Sequence, residues 1–120
     1  MAIATRFEDP ITFEVFKNSL VGLADEMGLV TLRTAHSAMP TQMMDFSTAI
    51  CDADGQVLAQ GNSMMIHVGT YPDAMAAVLR KYAGQIHAGD IYMFNETPEA
   101  AQHLNDLYVI MPYFIEDEHV

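Results

Sequence analysis

The chain has few of the residues on which several large classes of protein depend. Only five of its 120 residues are lysine or arginine, against sixteen acids, and the net charge is −11. A chain of this charge repels a polyanion, so nucleic-acid binding is all but excluded. The single cysteine, Cys51, cannot form an internal disulfide, and we expect it to be a small buried apolar residue.

Long apolar runs and targeting signals are also missing. No window reaches the roughly eighteen consecutive apolar residues that a membrane-spanning helix needs. The opening MAIATRFEDP has neither the basic nor the apolar segment of a signal peptide. We therefore predict a cytoplasmic protein without membrane contact. A Gly-rich phosphate loop, a Gly-x-Ser-x-Gly elbow and a Walker lysine are missing too, so any ATP involved binds on another chain.

The residues that are present predict a long first helix. Asp9 can accept hydrogen bonds from free amides at a helix start, and Pro10 suits the first helical position. Apolar side chains then recur every three or four residues, which predicts a helix from about Pro10 to about Leu32 with one face in the core. This apolar stripe consists of Phe13, Phe16, Leu20, Leu23, Met27 and Val30.

The rest of the chain mixes strand and helix patterns. Pro40 and its polar neighbours indicate a loop. FSTAIC and QVLAQ flank Asp-Ala-Asp-Gly (52–55), which predicts a strand–turn–strand hairpin. A helix is expected between Thr70 and Gly84, with a one-sided stripe of Met75, Val78, Leu79 and Tyr82.

Two further strands complete the expected fold. We predict a buried strand over 90–94 and a last one in LYVIMPYF, where Pro112 must lie near an edge or bulge. The fold class is therefore α+β: an N-terminal helix, a β-hairpin, a second helix and two strands, forming part of a larger mixed sheet. IEDEHV, after Phe114, indicates a turn and a returning strand. We expect residues 1–120 to be incomplete at the C-terminus, or their sheet to be continued by a partner chain.

An imidazole and a carboxylate, His103 and Asp106, stand three positions apart directly before the last strand. Such a pair can supply two ligands to one cation, although zinc takes three or four and manganese and iron take more. Glu96, seven residues earlier, is a candidate third ligand if the loop folds back. The alternatives are a loop histidine beside a capping aspartate, and a solvated acid.

The other histidines have simpler interpretations. His67 lies between apolar neighbours in SMMIHVG, where a core histidine bonded to the backbone is the alternative to a functional one. We expect surface positions for His36, His87 and His119.

Several stretches together resemble the hydantoinase B/5-oxoprolinase family. They are DPITFEVFKNSLVGLADEMG, RTAHSAMPTQMMDFSTAICDADGQVLAQ, IHVGTYPDAMAAVL and GDIYMFNETPEAAQHLNDLYVIMPYF, in the family's order from Asp9 onwards. Within these blocks we take Asp45 and His67 as candidate catalytic residues. Residues 1–120 then correspond to the N-terminal part of a hydantoinase B-type domain.

The resemblance carries functional expectations. It implies a large subunit that opens cyclic amides such as hydantoins and 5-oxoproline, together with an ATP-using subunit of the hydantoinase A type. A related branch carboxylates acetone and acetophenone. His103 and Asp106 match the family's metal motif, which implies a divalent ion (manganese, zinc or iron), with further His/Asp ligands beyond residue 120 and ATP on the partner. A non-catalytic interaction module of the same fold is the alternative.

The loop before the metal motif departs from the family pattern. Glu96 replaces an aspartate, Asn105 a proline, and Ala100 and Ala101 two glycines. Alanine is strained where a glycine has positive φ, so the loop must follow another path if the family's glycines have such angles. These departures affect the substrate loop more than the metal pair, and they keep the ketone-carboxylating alternative open.

Overall fold

The computed structural model describes residues 9–62, 65–95, 103–116 and 118–120. The chain divides into two compact units, the first comprising residues 1–50 and 59–63 and the second residues 51–58 and 64–120. The elements are helices and short strand pairs, so the predicted α+β class is confirmed. No helix in the described ranges has the length and apolar character required to span a membrane.

The first helix, α1 (Pro10–Thr34), forms as predicted. The Asp9 carboxylate accepts the backbone N–H groups of Ile11 and Thr12 at 3.2 and 3.0 Å. These bonds satisfy two of the amides that a helix start leaves without partners. They also lower the pKa of Asp9, for which the Thr12 hydroxyl is the largest cause and the two amides follow.

The first unit packs on small residues of α1. Ala24 is fully buried, and its carbonyl oxygen accepts the hydroxyl of buried Thr48 at 2.8 Å. Gly61 lies so close that a Cβ there would be 2.8 Å from the same oxygen, so this position requires glycine. Asp25, on the same side of the helix, accepts the Asn62 N–H at 2.7 Å. The backbone around Gly61 therefore lies close against the backbone of α1 at Ala24.

The prediction that the apolar stripe of α1 is core is wrong. Phe13, Phe16, Leu23, Met27 and Val30 are 44–54% exposed. The stripe lies beside the Ala24 face, and periodicity identifies an apolar face without identifying what covers it.

The loop predicted around Pro40 contains a short helix, α2 (Ala38–Gln42). Ser37 caps it by accepting the Met39 N–H at 3.3 Å. Pro40 is compatible because the first N–H groups of a helix have no intrahelical partners.

The predicted hairpin is confirmed, with strands β1 (Ala49–Cys51) and β2 (Val57–Gln60) forming a two-stranded sheet. Asp52 organises the turn, since its carboxylate accepts the N–H groups of Asp54 and Gln56 at 3.1 and 2.7 Å. Gly55 has φ +85°, and a Cβ there would be 2.9 Å from Cβ of Met75. Cys51 is half-buried rather than buried, and burial, helped by the Asp52 charge, raises the pKa of its thiol.

A 3-10 helix (Met65–Thr70) leads into α3 (Tyr71–Lys81). Ala74, Ala77 and Val78 of α3 are buried in the second unit. Gly84, with φ +71°, follows the end of the helix as predicted.

Strands β3 (Tyr92–Phe94) and β4 (Tyr108–Ile110) pair antiparallel, with Phe94 opposite Tyr108. The prediction that 90–94 is buried is wrong for one face, because Met93 is 66% exposed. Pro112 lies after β4 ends, as expected of a residue that cannot donate to a ladder.

The predicted turn and returning strand near the C-terminus are confirmed as β5 (Phe114–Ile115) and β6 (Glu118–His119), which pair antiparallel. His36 and His87 are exposed as expected. His119 is not a free surface residue, since its ring lies 5.2 Å from that of Phe114.

Candidate functional site

His103 and Asp106 are brought together by a tight turn before β4. The His103 N–H donates to Oδ2 of Asp106 at 3.0 Å, and the Asp106 N–H donates to the His103 carbonyl at 3.1 Å. Nδ1 of the imidazole lies 3.3 Å from the same Oδ2. The side chains are 70% and 26% exposed. The turn thus holds both groups in one place and leaves the imidazole accessible.

The donor chemistry of this pair fits a divalent cation. Metal–nitrogen and metal–oxygen bonds of about 2.1 Å place neighbouring donors about 3.0–3.4 Å apart. Nδ1 and Oδ2 fall in that range. Alternatively, Oδ2 accepts Nδ1–H and fixes the ring so that Nε2 is the ligand, the usual carboxylate–histidine arrangement. In the described ranges, no three His, Cys, Asp or Glu side chains meet in a metal-binding group, so the pair is at most part of a site.

The turn is tied to the β3–β4 hairpin. Asn95, directly after β3, donates from Nδ2 to the carbonyl of Leu104 at 2.8 Å. The rings of Phe94 and Tyr108, opposite each other in the register, stack at 5.2 Å and 11°. The Tyr108 hydroxyl shares a hydrogen bond with the Thr70 hydroxyl at the start of α3. Strand pairing and side-chain bonds therefore position the turn.

A second His-x-x-Asp turn lies before β3. The His87 N–H donates to Oδ2 of Asp90 at 2.9 Å, and Nδ1 lies 3.5 Å from that oxygen. The Tyr92 hydroxyl also donates to Oδ2, at 3.0 Å. The His87 amide bond, followed by the Tyr92 bond, lowers the pKa of Asp90. Burial, followed by the hydrogen bond to Asp90, raises the pKa of Tyr92.

A cavity of about 220 Å³ lies between α3 and β3 in the same unit. The rings of Tyr82 and Tyr92 meet on its wall with centroids 4.6 Å apart. The sequence did not single out this cavity, and the signal that it offered was slight: a lysine at the end of a helix and an asparagine at the end of a strand. The lining residues are Ala77, Val78, Lys81, Tyr82, Tyr92, Met93, Phe94 and Asn95.

Comparison with known proteins identifies the chain. The sequence profile of the Hydantoinase B/oxoprolinase family matches residues 9–120. The chain belongs to this family. The resemblance in the sequence blocks is thereby confirmed.

Relatives within the hydantoinase B/oxoprolinase family are much longer. An uncharacterised protein of Methanocaldococcus jannaschii is 34% identical over 92% of this chain, which covers 20% of that protein. A 5-oxoprolinase of Dictyostelium discoideum is 30% identical over 93% of the chain and 9% of its own length. The caprolactamase subunit beta of Pseudomonas jessenii is 30% identical over 93% of this chain, which covers 19% of that protein. The chain thus spans between about a tenth and a fifth of these relatives.

The other candidate residues belong to segments of the chain other than the His103–Asp106 turn. His67 is half-buried in the 3-10 helix, where its carbonyl accepts the Thr70 hydroxyl at 2.8 Å. Asp45 lies in the first unit, half-buried, with its N–H donating to the Met39 carbonyl at 3.1 Å. Glu96 lies outside the described residues. His67 and Asp45 therefore stay candidate catalytic residues, and Glu96 a candidate ligand.

Proposed function

We propose that this chain is the N-terminal part of a hydantoinase B-type subunit that opens cyclic amides with the help of a divalent metal. The observation that carries the proposal is the 3.3 Å separation of Nδ1 of His103 and Oδ2 of Asp106. This geometry occurs in a chain whose family match extends from residue 9 to residue 120. A metal-ligand pair and a lactam-opening family fit the same reaction.

His103 and Asp106 would hold the metal together with Glu96 and ligands from the rest of the large subunit. A manganese, zinc or iron ion would polarise the amide carbonyl or lower the pKa of a bound water. The chain's own contribution is orientation: the His103 N–H and Nδ1 both face Oδ2, which restrains the imidazole. Metal binding requires the neutral ring, so protons compete with the metal.

ATP belongs to a partner in this proposal. An amide is stabilised by resonance, and coupling its opening to phosphoryl transfer makes the reaction favourable. The net charge of −11 and the five basic residues offer little to hold a nucleotide, so we assign ATP to a hydantoinase A-type subunit in the cytoplasm. The exposed stripe of α1 offers apolar surface for an interface. The name of the Pseudomonas jessenii relative, a subunit beta, supports such an assembly.

Ketone carboxylation is the second candidate, favoured by the loop departures at Glu96, Ala100, Ala101 and Asn105. The names of two relatives, a 5-oxoprolinase and a caprolactamase subunit, favour cyclic amides. The two reactions separate in one assay of the full-length protein with its partner and ATP. Ring opening of 5-oxoproline supports the first candidate, and incorporation of labelled bicarbonate into acetone or acetophenone supports the second. If the protein shows neither of these activities, the result supports a non-catalytic module.

The metal part of the proposal is tested by His103→Ala, with His87→Ala as the matched control. Both variants remove an exposed imidazole from the first position of a His-x-x-Asp turn. We expect His103→Ala to lower the bound metal at least about tenfold, since a ligand or its orientation is lost. His87→Ala should keep the wild-type content. Metal content of the purified full-length protein is the measurement, and an unchanged stoichiometry in His103→Ala would remove this residue from the ligand set.

A further inference from the structure

The antiparallel pair β3–β4 is apolar on both of its faces. On the inner face, Tyr92, Phe94 and Tyr108 are half-buried, and the rings of the last two stack. On the other face, Met93 lies opposite Val109 in the register, and both side chains are exposed. Because side chains two positions apart share a face of a strand, the flanking apolar residues belong to this surface too. This outer face consists of Ile91, Met93, Leu107, Val109 and Met111, which are 59–66% exposed.

The sequence around β4 has the pattern of a strand that is covered on both sides. An antiparallel sheet with one face in water alternates apolar with polar residues, whereas a strand buried on both faces is a nearly continuous apolar run. LYVIMPYFI, from Leu107 to Ile115, is such a run. Exposure nevertheless alternates at every residue along it, so each exposed position carries a large apolar side chain. The composition of this segment therefore matches burial on both faces, while the described residues cover one.

Helix α3 of the same unit shows what an ordinary solvated surface of this chain contains. Its exposed positions include Asp73, Ala76 and Arg80, which are three and four residues apart and so lie on one side of the helix. Two of these three side chains are charged. The buried positions of α3 are Ala74, Ala77 and Val78, on its other side. The helix thus separates polar from apolar residues, and the outer face of β3–β4 does not.

The chemistry of the outer face identifies the kind of surface that covers it. Monomeric soluble proteins rarely leave contiguous apolar patches of this kind in water, and a two-stranded hairpin without a covering layer is marginally stable. Interfaces between proteins that also exist apart are about 56–58% non-polar in area. The five residues of the outer face are all apolar. The outer face therefore resembles the inside of a folded domain more than a separable interface.

Charge and chain length favour a covering layer from the same polypeptide. A second copy of this chain would bring together two molecules with a net charge of −11 each, which repel one another. The relatives from Methanocaldococcus jannaschii and Pseudomonas jessenii have about four-fifths of their length outside the matched part, since the chain covers 20% and 19% of them. A large subunit of that length contains ample further structure to cover one sheet face.

We propose that the outer face of β3–β4 is a docking surface for an uncharged, apolar helix or sheet face of the same large subunit, from outside residues 1–120. The inference rests on the proposed function, because it takes the chain as the N-terminal part of that subunit. The β3–β4 pair is then a middle layer, with α3 on its inner face and the docked element on its outer face. The His103–Asp106 turn, which directly precedes β4, lies at the end of this layer.

The first test measures methionine oxidation in the wild-type full-length large subunit, purified without its partner subunit. Hydrogen peroxide converts an accessible thioether to the sulfoxide, and Met93 and Met111 are 66% and 64% exposed in this chain. Peptide mass spectrometry gives the rate at each methionine in the native and in the urea-unfolded protein. We expect both to be oxidised at least about tenfold more slowly in the native protein, because peroxide must wait for local opening. This protection should not change with protein concentration.

The second test uses a matched pair of cysteine variants. Val109→Cys places a thiol on the outer face, and Ala76→Cys places one on the polar side of α3. In the native large subunit, we expect labelling of the first thiol to be at least about tenfold slower than labelling of the second, and the two rates to be equal in urea. The wild-type oxidation rates decide the question if Val109→Cys does not fold.

Three results would overturn the proposal. Oxidation of Met93 and Met111 at their unfolded rates would show that the outer face stays in water. Protection that appears only at high protein concentration would assign the face to a second copy. Protection that appears only after the ATP-using subunit is added would assign it to that partner.

The outcomes also separate this inference from the proposed function, because neither rate depends on catalysis or on metal. A large subunit that opens no cyclic amide but protects both methionines would remove the proposed reaction and keep the docked layer. A subunit that opens 5-oxoproline while both methionines are oxidised freely would keep the reaction and remove the docked layer.

Discussion

Two His-x-x-Asp turns of the second unit share one backbone design. In each, the histidine N–H donates to Oδ2 of the aspartate, at 2.9 Å for His87 and 3.0 Å for His103. In each, the aspartate N–H donates back to the histidine carbonyl, at 3.2 and 3.1 Å. The ring Nδ1 lies 3.5 and 3.3 Å from Oδ2. The motif therefore folds into the same turn twice.

The turns differ in what else contacts the carboxylate. Asp90 accepts the Tyr92 hydroxyl at 3.0 Å, so its oxygen is already bonded to a neighbouring strand residue. Asp106, within the described ranges, has its hydrogen bonds with His103. The second turn also has the Asn95 bond to Leu104. It is also the turn for which the sequence resemblance predicts a metal motif. The lesson is that spacing predicts a turn, while the surroundings of the turn determine whether its carboxylate is available to a cation.

The largest expected effect is on metal affinity. Asp106→Asn removes the carboxylate that restrains or joins the imidazole, and we expect metal affinity to fall about 10–100-fold. Asp90→Asn is isosteric in the matching turn and should leave metal affinity within about twofold. Metal titration of the two full-length variants, at one pH, measures the difference. If Asp106→Asn and Asp90→Asn lost the same amount of metal affinity, the Asp106 turn would have no special role in metal binding.

Much of the local structure could be predicted from residues that act locally. Asp9 and Pro10 predicted the start of α1, and the turn around Gly55 predicted the hairpin. The proximity of His103 and Asp106 follows from three-residue spacing in a turn. The loop predicted around Pro40 is instead a short helix because Ser37 caps its start, and a proline is compatible with the first turn of a helix.

What could not be predicted depends on residues far apart in the chain. The α1 stripe is exposed because the rest of the first unit packs against α1 at Ala24 and not at the stripe. The contacts at Ala24 come from Thr48 and Gly61, which follow it in the chain by 24 and 37 residues. The cavity requires α3 to lie against β3, which brings Lys81 to its lining together with Asn95. Periodicity describes each element separately and contains no information on such pairings.

An intermediate effect is expected from the bond that anchors the second turn. Asn95→Ala removes the donor to the Leu104 carbonyl, and a hydrogen bond of this kind contributes about 0.5–1.5 kcal/mol to the free energy of unfolding. Asn105→Ala, an equal truncation inside the turn, is the control and should cost less. Urea unfolding gives the stability, and metal titration should show a loss smaller than that of Asp106→Asn. Identical behaviour of the two alanine variants would argue against the anchor.

The smallest expected effect is on the pKa of Asp90 in the His87–Asp90 turn, and it changes the stability of the protein only at acidic pH. The pKa of Asp90 lies below its ordinary 3.8 because its carboxylate accepts the His87 amide and then the Tyr92 hydroxyl. A lowered folded-state pKa contributes stability that is present above about pH 3.8 and is lost as the pH falls through the folded value. Tyr92→Phe removes the second of these bonds, so the pKa of Asp90 should rise toward 3.8, as an NMR titration of the carboxyl carbon would measure.

Tyr113→Phe is the control for this titration, because Tyr113 is 65% exposed and, among the described residues, its hydroxyl has no hydrogen bond to Asp90. The stability difference between wild type and Tyr92→Phe should be constant near neutral pH and shrink below about pH 3.8. A difference that persists unchanged in acid would mean that Tyr92 stabilises the strand through ring packing on Tyr82, at 4.6 Å, and not through the carboxylate. In that case, the two turns would differ only in the Asn95 bond to Leu104 and in the metal motif that the resemblance predicts for the second turn.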